Sequence, residues 1–458
     1  MASFTIKEVQ QASGVEILHT GAQESFDGIS TDTRTIREGN LFVALSGENF
    51  DGHRFVRQAV EKGAYGVVVS RADAANDLPE SVSVFLVKDT KKALEGCARF
   101  HRLRFNIPVI GVTGSNGKTT TKDMISAVLG TTYSVCRTVA NHNNEIGMCQ
   151  TLLSLKKEHG ACVVEMGMRG FGQIEELCTF ARPTIGVVTN VGTSHIGILG
   201  SQDNIAKAKG ELVEALGSEG TAILNGDDAR VLAMKDRFTG KTVTYGLHRE
   251  DVCAEHVEYK PDRTEFDCST PSGTFHVTLF VLGMHNVYDA LAAIATGEVC
   301  GVSHDQMKQA LADYRGASQR QAITTLGGVR IMDDSYNANP LSMEMAFRSL
   351  MQMEAKRRIL VLGDMLELGD DEERYHYETG AKAGDMHVDA VITVGPLGRC
   401  IANGARDHGV PHVESFDTTE QAVGALKKYM QDGDLILLKA SHSMHMDNIL
   451  KMLGGTAE

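Results

Sequence analysis

Proline and paired cysteine are both scarce in this chain, and each scarcity removes a class of protein. Eight Pro among 458 residues, beside 47 Gly, leave no proline-rich or low-complexity segment, which excludes fibrous and disordered chains. Nine Cys are scattered without a CxxC pair or a metal-ligand spacing; their odd number argues against a disulfide framework and for a reducing cytoplasm. Cationic excess is also missing. Lys+Arg of 45 against Asp+Glu of 59 leaves a net charge of −14, which repels nucleic acid and anionic membranes over long range. Nucleic acid is therefore not an expected partner, and side chains that bind anions must be placed locally. No run of 18 or more apolar residues occurs, and the start MASFTIKEVQ lacks a basic segment leading into an apolar one. Neither a membrane span nor secretion is expected.

What is present reads as α/β. The length exceeds one ordinary hydrophobic core and points to three domains, and 42% hydrophobic with 23% charged residues suits a globular chain. Residues 111–124, GVTGSNGKTTTKDM, follow a β-branched run at 108–112 and precede Met124, Ile125, Val128 and Leu129 at helical spacing. Strand, Gly-rich turn and helix form the context of a phosphate loop, where backbone N–H groups and a helix N-terminus converge on one anion. Lys118 would reach the outer phosphates and Thr119 would offer a hydroxyl to Mg²⁺. The loop is a variant of GxxxxGK[ST], because five positions before Gly117 stands Val112 and the first glycine is Gly114. A turn that merely joins strand to helix is the plainer alternative.

Further strand-like runs end in polar clusters, where doubly wound sheets gather ligands. Residues 161–164 run into Glu165, 185–189 into Asn190 and His195, and 222–224 into Asn225, Asp227 and Asp228. Glu165 and His195 could ligate Mg²⁺ or orient its waters; equally they could cap helices. Lys207 and Lys209, two apart on a predicted helix, face different sides, as on any solvated amphipathic helix. His285 and Asn286 open an Ala-rich helix, where Asn caps well. From about residue 317 a second parallel sheet is expected, with polar strand ends Asp333, Asp334, Asn337, Asn339, Asp364 and Lys439 that could face the first site across a cleft. The first hundred residues form a small α/β unit with polar loops around Asp32, Arg34 and Asp51.

In combination, TGSNGKTTTK (113–122), NHNNEIG (141–147), VVEMGMRG (163–170), NVGTSHIG (190–197), AKAKGEL (206–212), GMHNVYDALAA (283–293), DDSYNANPLSM (333–343) and LGDMLELG (362–369) resemble the Mur ligases over essentially the whole chain. The resemblance implies three domains: a UDP-substrate domain over 1–104, a central ATP-binding ligase domain over 105–316, and a Rossmann-like C-terminal domain over 317–458 that contacts dipeptide and ATP. It is strongest toward the branch joining D-alanyl-D-alanine to UDP-N-acetylmuramoyl-tripeptide with ATP as co-substrate, by way of an acyl phosphate. The DDSYNANPLSM segment lacks the DNPR-type motif of siblings that add diaminopimelate. A sibling adding the third residue, a folate polyglutamate ligase and a phosphate-loop switch stand as alternatives.

By the same resemblance Gly114, Ser115, Asn116, Gly117, Lys118, Thr119 and Thr120 form the ATP loop, and Asn286 and Asp334 touch the nucleoside. Thr119, Glu165, His195 and Lys209 are associated with Mg²⁺, Lys209 as a carbamate. Lys118, Lys209 and His195 carry the catalytic roles, Asp32 and Arg34 face uridine diphosphate, and Asn337 and Asn339 serve the dipeptide side. The family likeness implies a monomer. One departure stands out: where the family continues KGSR, Lys439 is followed by Ala440, Ser441, His442 and Ser443, which removes a glycine and an arginine. His442 and His445 could pair on a metal or simply lie in an exposed loop. Two reactants and a hydrolysable intermediate require exclusion of water, so hinge motion is expected near residues 314–320.

Overall fold

The computed structural model describes residues 2–47, 50–248, 250–317 and 319–454. Three sheets organise it. The N-terminal sheet has five strands in the order Glu16–His19, Ser83–Leu86, Gly66–Val69, Leu41–Val43 and Ile29–Ser30, antiparallel only in its first pair. The C-terminal sheet has six, in the order Ala322–Leu326, Val329–Asp333, Asp434–Lys439, Arg357–Gly363, Ala390–Val394 and His412–Phe416, again antiparallel only in the first pair.

The central sheet has nine strands. Val135–Arg137, Ala161–Glu165, Val109–Thr113, Ile185–Val188, Thr221–Asn225, Lys241–Gly246 and Val252–Tyr259 run parallel, and Thr264–Thr270 and Gly273–Leu279 extend them as an antiparallel meander. Strands Val109–Thr113 and Ala161–Glu165 are buried at every position, as strands covered on both faces are, which is why they read as unbroken apolar runs. The chain leaves Val109–Thr113 toward one side first and returns to its other side at Ile185–Val188. That reversal is a topological switch point, and it opens a crevice beyond the strand ends.

Helix Lys118–Gly130 and the Ala-rich helix Met284–Val299 cover one face of this sheet within one core that includes Met124, Val128, Ala290, Leu291 and Ile294. Alanine and glycine permit that packing: a Cβ on Gly297 would meet Val128 Cγ1 at 2.9 Å. On the other face the N-terminal unit shares a core with the central one, Phe4, Phe26, Leu94 and Cys97 lying with Met148, Leu152 and Phe180. Helix Thr90–Arg102 pins the two together through Lys91 to Glu145 at 3.2 Å and Arg102 Nε to the Ala181 carbonyl at 3.1 Å. Between the central and C-terminal sheets the chain passes Gly316, Gln319 and Gln321, all with left-handed φ of 86°, 58° and 60°. Ser318, within the expected hinge, lies outside the described residues.

Candidate active site

The phosphate-like loop is held open by glycines and by the end of the neighbouring strand. Gly114 has φ 153° and a Cβ there would stand 1.8 Å from Thr189 Oγ1, while Gly117, with φ 80°, faces the Asp289 carboxylate. Neither position tolerates a side chain. Ser115 N–H donates to the Asn190 carbonyl, Asn116 N–H to Asn190 Oδ1, both at 2.9 Å, and Thr189 Oγ1 donates to the Asn116 carbonyl at 2.6 Å. These contacts brace the loop from its own side of the sheet, and helix Lys118–Gly130 starts directly after it. The plainer reading, a turn that merely joins strand to helix, does not account for this bracing.

The loop floors a cleft of about 830 Å³, a size typical of small-molecule sites. It brings together Ser115, Asn116, Gly117, Lys118, Thr119, Thr120, Glu165, His195, Lys209, Asn286, Asp334, Asn337 and Asn339, and Lys439 joins them from the C-terminal sheet. Lys118 Nζ donates to the Gly114 and Ser115 carbonyls at 2.8 and 3.3 Å. Enclosure pulls its ammonium pKa below the ordinary lysine value against the opposing pull of Glu165, and Arg320 lowers it further. An arriving phosphate would offer this cation a better partner than two carbonyls.

Thr119 Oγ1 donates to Glu165 Oε2 at 2.7 Å, and Asn143 Nδ2 donates to Glu165 Oε1 at 2.8 Å. Glu165 is 2% exposed. This buried, oriented carboxylate beside a hydroxyl at the loop's edge suits a hard cation. Among the described residues no three His, Cys, Asp or Glu side chains are grouped to hold a metal by themselves; Mg²⁺ commonly needs only one or two protein ligands beside substrate phosphates. Lys209, also 2% exposed, makes no side-chain hydrogen bond or ion pair among the described residues. Burial holds its pKa far below the ordinary lysine value and Lys118 depresses it further. As a free amine it would repel a cation; as a carbamate it would supply oxygen.

His195 adopts φ 63° and hydrogen-bonds through Nδ1 to Glu367 Oε2, 2.5 Å away, on the C-terminal domain. Burial lowers its pKa although Glu367 raises it, with Lys118 and Lys209 adding to the depression. Asn286 Nδ2 donates to the Leu282 carbonyl at 2.7 Å, and the residue lines the cleft at the start of its helix. Asp334 is bound by Lys439 Nζ at 2.6 Å, and desolvation still raises its carboxyl pKa despite that ammonium. Asn339 caps helix Pro340–Gln352 and reaches Asn116 Oδ1 at 2.7 Å and Ser194 Oγ at 2.8 Å.

Several expected residues stand elsewhere. Asp333 accepts from Ser335, and Asp364 accepts the Gly398 N–H at 2.8 Å at the start of helix Gly398–Asp407; neither lines the cleft. Asp333 serves its own backbone turn, whereas Asp364 serves a turn 34 residues further along the chain. Asp32 and Arg34 form a mutual pair on the N-terminal surface, Nη2 to Oδ2 2.7 Å, with the Arg34 side chain 87% exposed. In the departure after Lys439, Ser441 Oγ accepts the Leu366 N–H at 2.9 Å, and His442 lies over Tyr336 with ring centroids 5.4 Å apart. His442 and His445 are exposed. Asp227 and Asp228 serve backbone N–H groups of Leu247 and Val191.

Sequence reasoning overlooked Arg320, Asn143, Asp289 and Glu367. Arg320 Nη2 donates to Thr119 Oγ1 at 2.9 Å and its guanidinium lies 4.1 Å over the Tyr336 ring. It brings a second cation to the loop from the domain connection. Asn143 and Glu367 sat inside motifs already singled out, but nothing in spacing distinguished them from their neighbours.

A braced phosphate loop under a second α/β sheet, with cations from both sides of one cleft, defines a three-domain nucleotide-dependent enzyme. Family models for the Mur ligase middle domain, the Mur ligase glutamate ligase domain and the Mur ligase family catalytic domain match residues 112–297, 319–442 and 25–102. The chain belongs to the Mur ligase family. It is 40% identical over 435 residues to the UDP-N-acetylmuramoyl-tripeptide--D-alanyl-D-alanine ligase of Bacillus subtilis strain 168, covering 94% of each chain. To the Escherichia coli K12 protein of the same name it is 34% identical, covering 99% of each. The crystal structure of MurF from Acinetobacter baumannii superposes with a TM-score of 0.91 at 30% identity over 98% of both chains. MurF ligase from Thermotoga maritima in complex with ADP gives 0.83 at 27% identity over 93% of this chain and 96% of that one.

Proposed function

We propose that this chain joins D-alanyl-D-alanine to UDP-N-acetylmuramoyl-tripeptide with cleavage of ATP, a step of peptidoglycan precursor synthesis. The observation that carries the reading is that a phosphate loop and the polar strand ends of a second sheet line one cleft, bridged by Asn116 and Asn339 at 2.7 Å. The full-length relatives named above supply the identity of the reactants. Structures of the diaminopimelate-adding and folylpolyglutamate ligases resemble the chain at only 18% and 15% identity, a likeness of fold alone.

A carboxylate is a poor electrophile, so the peptide carboxylate first attacks the γ-phosphate of ATP to give an acyl phosphate and ADP. Phosphoryl transfer depends mainly on position and charge neutralisation. The amides of residues 114–120 cradle the phosphates, Lys118 turns from its two carbonyls to the outer phosphate, and Arg320 adds charge from the opposite side. Mg²⁺ held by Thr119 and Glu165, with His195 and a carbamylated Lys209 at its flank, would neutralise the phosphate oxygens. Asn286 and Asp334 hold the nucleoside. The dipeptide amine then attacks the acyl carbon, the amide forms, and inorganic phosphate leaves. Asn337 and Asn339 serve this second half from the C-terminal side, Asp32 and Arg34 take the uridine diphosphate end, and closure of the C-terminal domain about the 314–320 connection excludes water. The protein acts as a cytoplasmic monomer; among the described residues no helix is long and apolar enough to cross a membrane.

Phosphate release with MgATP and UDP-N-acetylmuramoyl-tripeptide, with and without D-alanyl-D-alanine, tests the reading. Release should need both substrates and disappear in Lys118→Ala. Equal release without either substrate would favour a hydrolytic switch.

A further inference from the structure

Two loops from different domains cross beside the cleft. One carries His195 and Gly197 from the central domain, the other Glu367 and Gly369 from the C-terminal domain. Their backbones touch: Gly197 N–H donates to the Glu367 carbonyl at 3.1 Å, and a Cβ on Gly197 would meet Gly369 N at 2.6 Å. Both positions require glycine for this crossing. His195 and Glu367 both hold left-handed φ, 63° and 64°, a conformation uncommon for residues with a side chain and one that costs energy wherever it is kept. The strained backbone aims a pair of directed contacts. Glu367 Oε2 stands 2.5 Å from His195 Nδ1, and Glu367 Oε1 receives Arg169 Nη2 at 2.6 Å.

We infer that Glu367 is a positioning residue, carried by the C-terminal domain, that orients His195 on the central domain and so makes the His195 end of the cleft complete only when the domains are together. A carboxylate accepting from Nδ1 fixes the imidazole tautomer with its free lone pair on Nε2, the arrangement by which outer carboxylates orient metal-binding histidines. Arg169 occupies the second carboxylate oxygen, so Glu367 is itself held in place. In an open form Glu367 leaves with its domain, and His195 loses the partner that sets its ring. Closure and readiness of the cleft thereby become one event, which guards the acyl phosphate from forming while water has access. The inference rests on the cleft reading above, in which His195 serves the cation.

The test uses full-length Glu367→Ala and Glu367→Gln, the latter keeping a carbonyl oxygen for Nδ1. Mn²⁺ binding in the presence of ADP, followed by electron paramagnetic resonance, should weaken about 10- to 100-fold in Glu367→Ala and stay within about threefold of the parent in Glu367→Gln. The ligation kcat should fall by a similar factor in the alanine variant with little change in KM for ATP. Mn²⁺ affinity within about threefold of the parent in folded Glu367→Ala overturns the inference, as does a loss expressed only in KM. Should Lys118→Ala retain ligation, the reading of the cleft fails instead, and the Mn²⁺ measurement still judges Glu367 by itself.

Discussion

Asn339 stands 2.7 Å from Asn116, Nδ2 to Oδ1, while its own Oδ1 accepts the Ser342 N–H at 2.9 Å. One side chain thus caps a helix of the C-terminal domain and touches the phosphate loop of the central one.

The two jobs can be separated. Aspartate caps as well as asparagine but cannot donate to Asn116 or Ser194. Asn339→Asp should therefore keep stability and lose ligation rate, about 10- to 100-fold, by misplacing the loop against the second sheet. Asn339→Ala should lose that rate and also about 1 kcal/mol of stability through the missing cap. Thermal unfolding and kcat measured on both variants check the contrast; equal rates for Asp and parent would remove the bridge from the mechanism.

How much of this was legible beforehand differs by kind of feature. Parallel strands such as Ala161–Glu165 were readable because burial on both faces leaves an unbroken apolar run ending at one polar residue. The loop at 114–120 was readable because its glycines answer backbone demands that no other residue meets. Contacts between domains were not. Glu367 and Arg320 meet His195 and Thr119 from positions 172 and 201 residues away in the chain, and no local pattern encodes that closeness. Asp333 misled for the opposite reason: a carboxylate at a strand end also satisfies an N–H two residues on, and sequence alone does not separate such a turn from a ligand. Asp364 belongs with the distant contacts, since the N–H it accepts comes from Gly398, 34 residues away.

Lys209 carries a second prediction. A lysine 2% exposed with no anionic partner among the described residues is costly to keep charged. Its neutral amine is the form that adds CO₂ to become a carbamate. Protein equilibrated with ¹³C-bicarbonate should show one slowly exchanging carbamate resonance that is missing in Lys209→Ala. Ligation by the parent should fall on removal of dissolved CO₂ and recover on its return. A spectrum without that resonance would leave Lys209 as a buried amine and take it out of the cation site.

Asp289 offers a prediction about stability. It lies buried on helix Met284–Val299, facing the loop at Gly117, accepts from Thr121 Oγ1 at 2.6 Å, and its other oxygen has no partner among the described residues. Desolvation pushes its pKa up to about 7, although Thr121 and Arg320 pull the other way. A carboxyl raised in the folded state loses stability as pH increases: below the unfolded value, 3.8, both states are protonated and nothing is lost. Between there and about 7 the unfolded chain releases its proton while the folded chain keeps it, so the cost grows, and above about 7 it is complete. An asparagine side chain at this position would keep the acceptor for Thr121 and carry no charge at any pH. Asp289→Asn should therefore stabilise the protein by roughly 2 to 4 kcal/mol at pH 8, taking about 1.4 kcal/mol per pKa unit, and by about half of that at pH 5.5. Denaturant unfolding of both proteins at the two pH values measures the difference. A gain that does not change with pH would mean that Asp289 is ionised throughout, held by Arg320 and the loop rather than opposed by its burial.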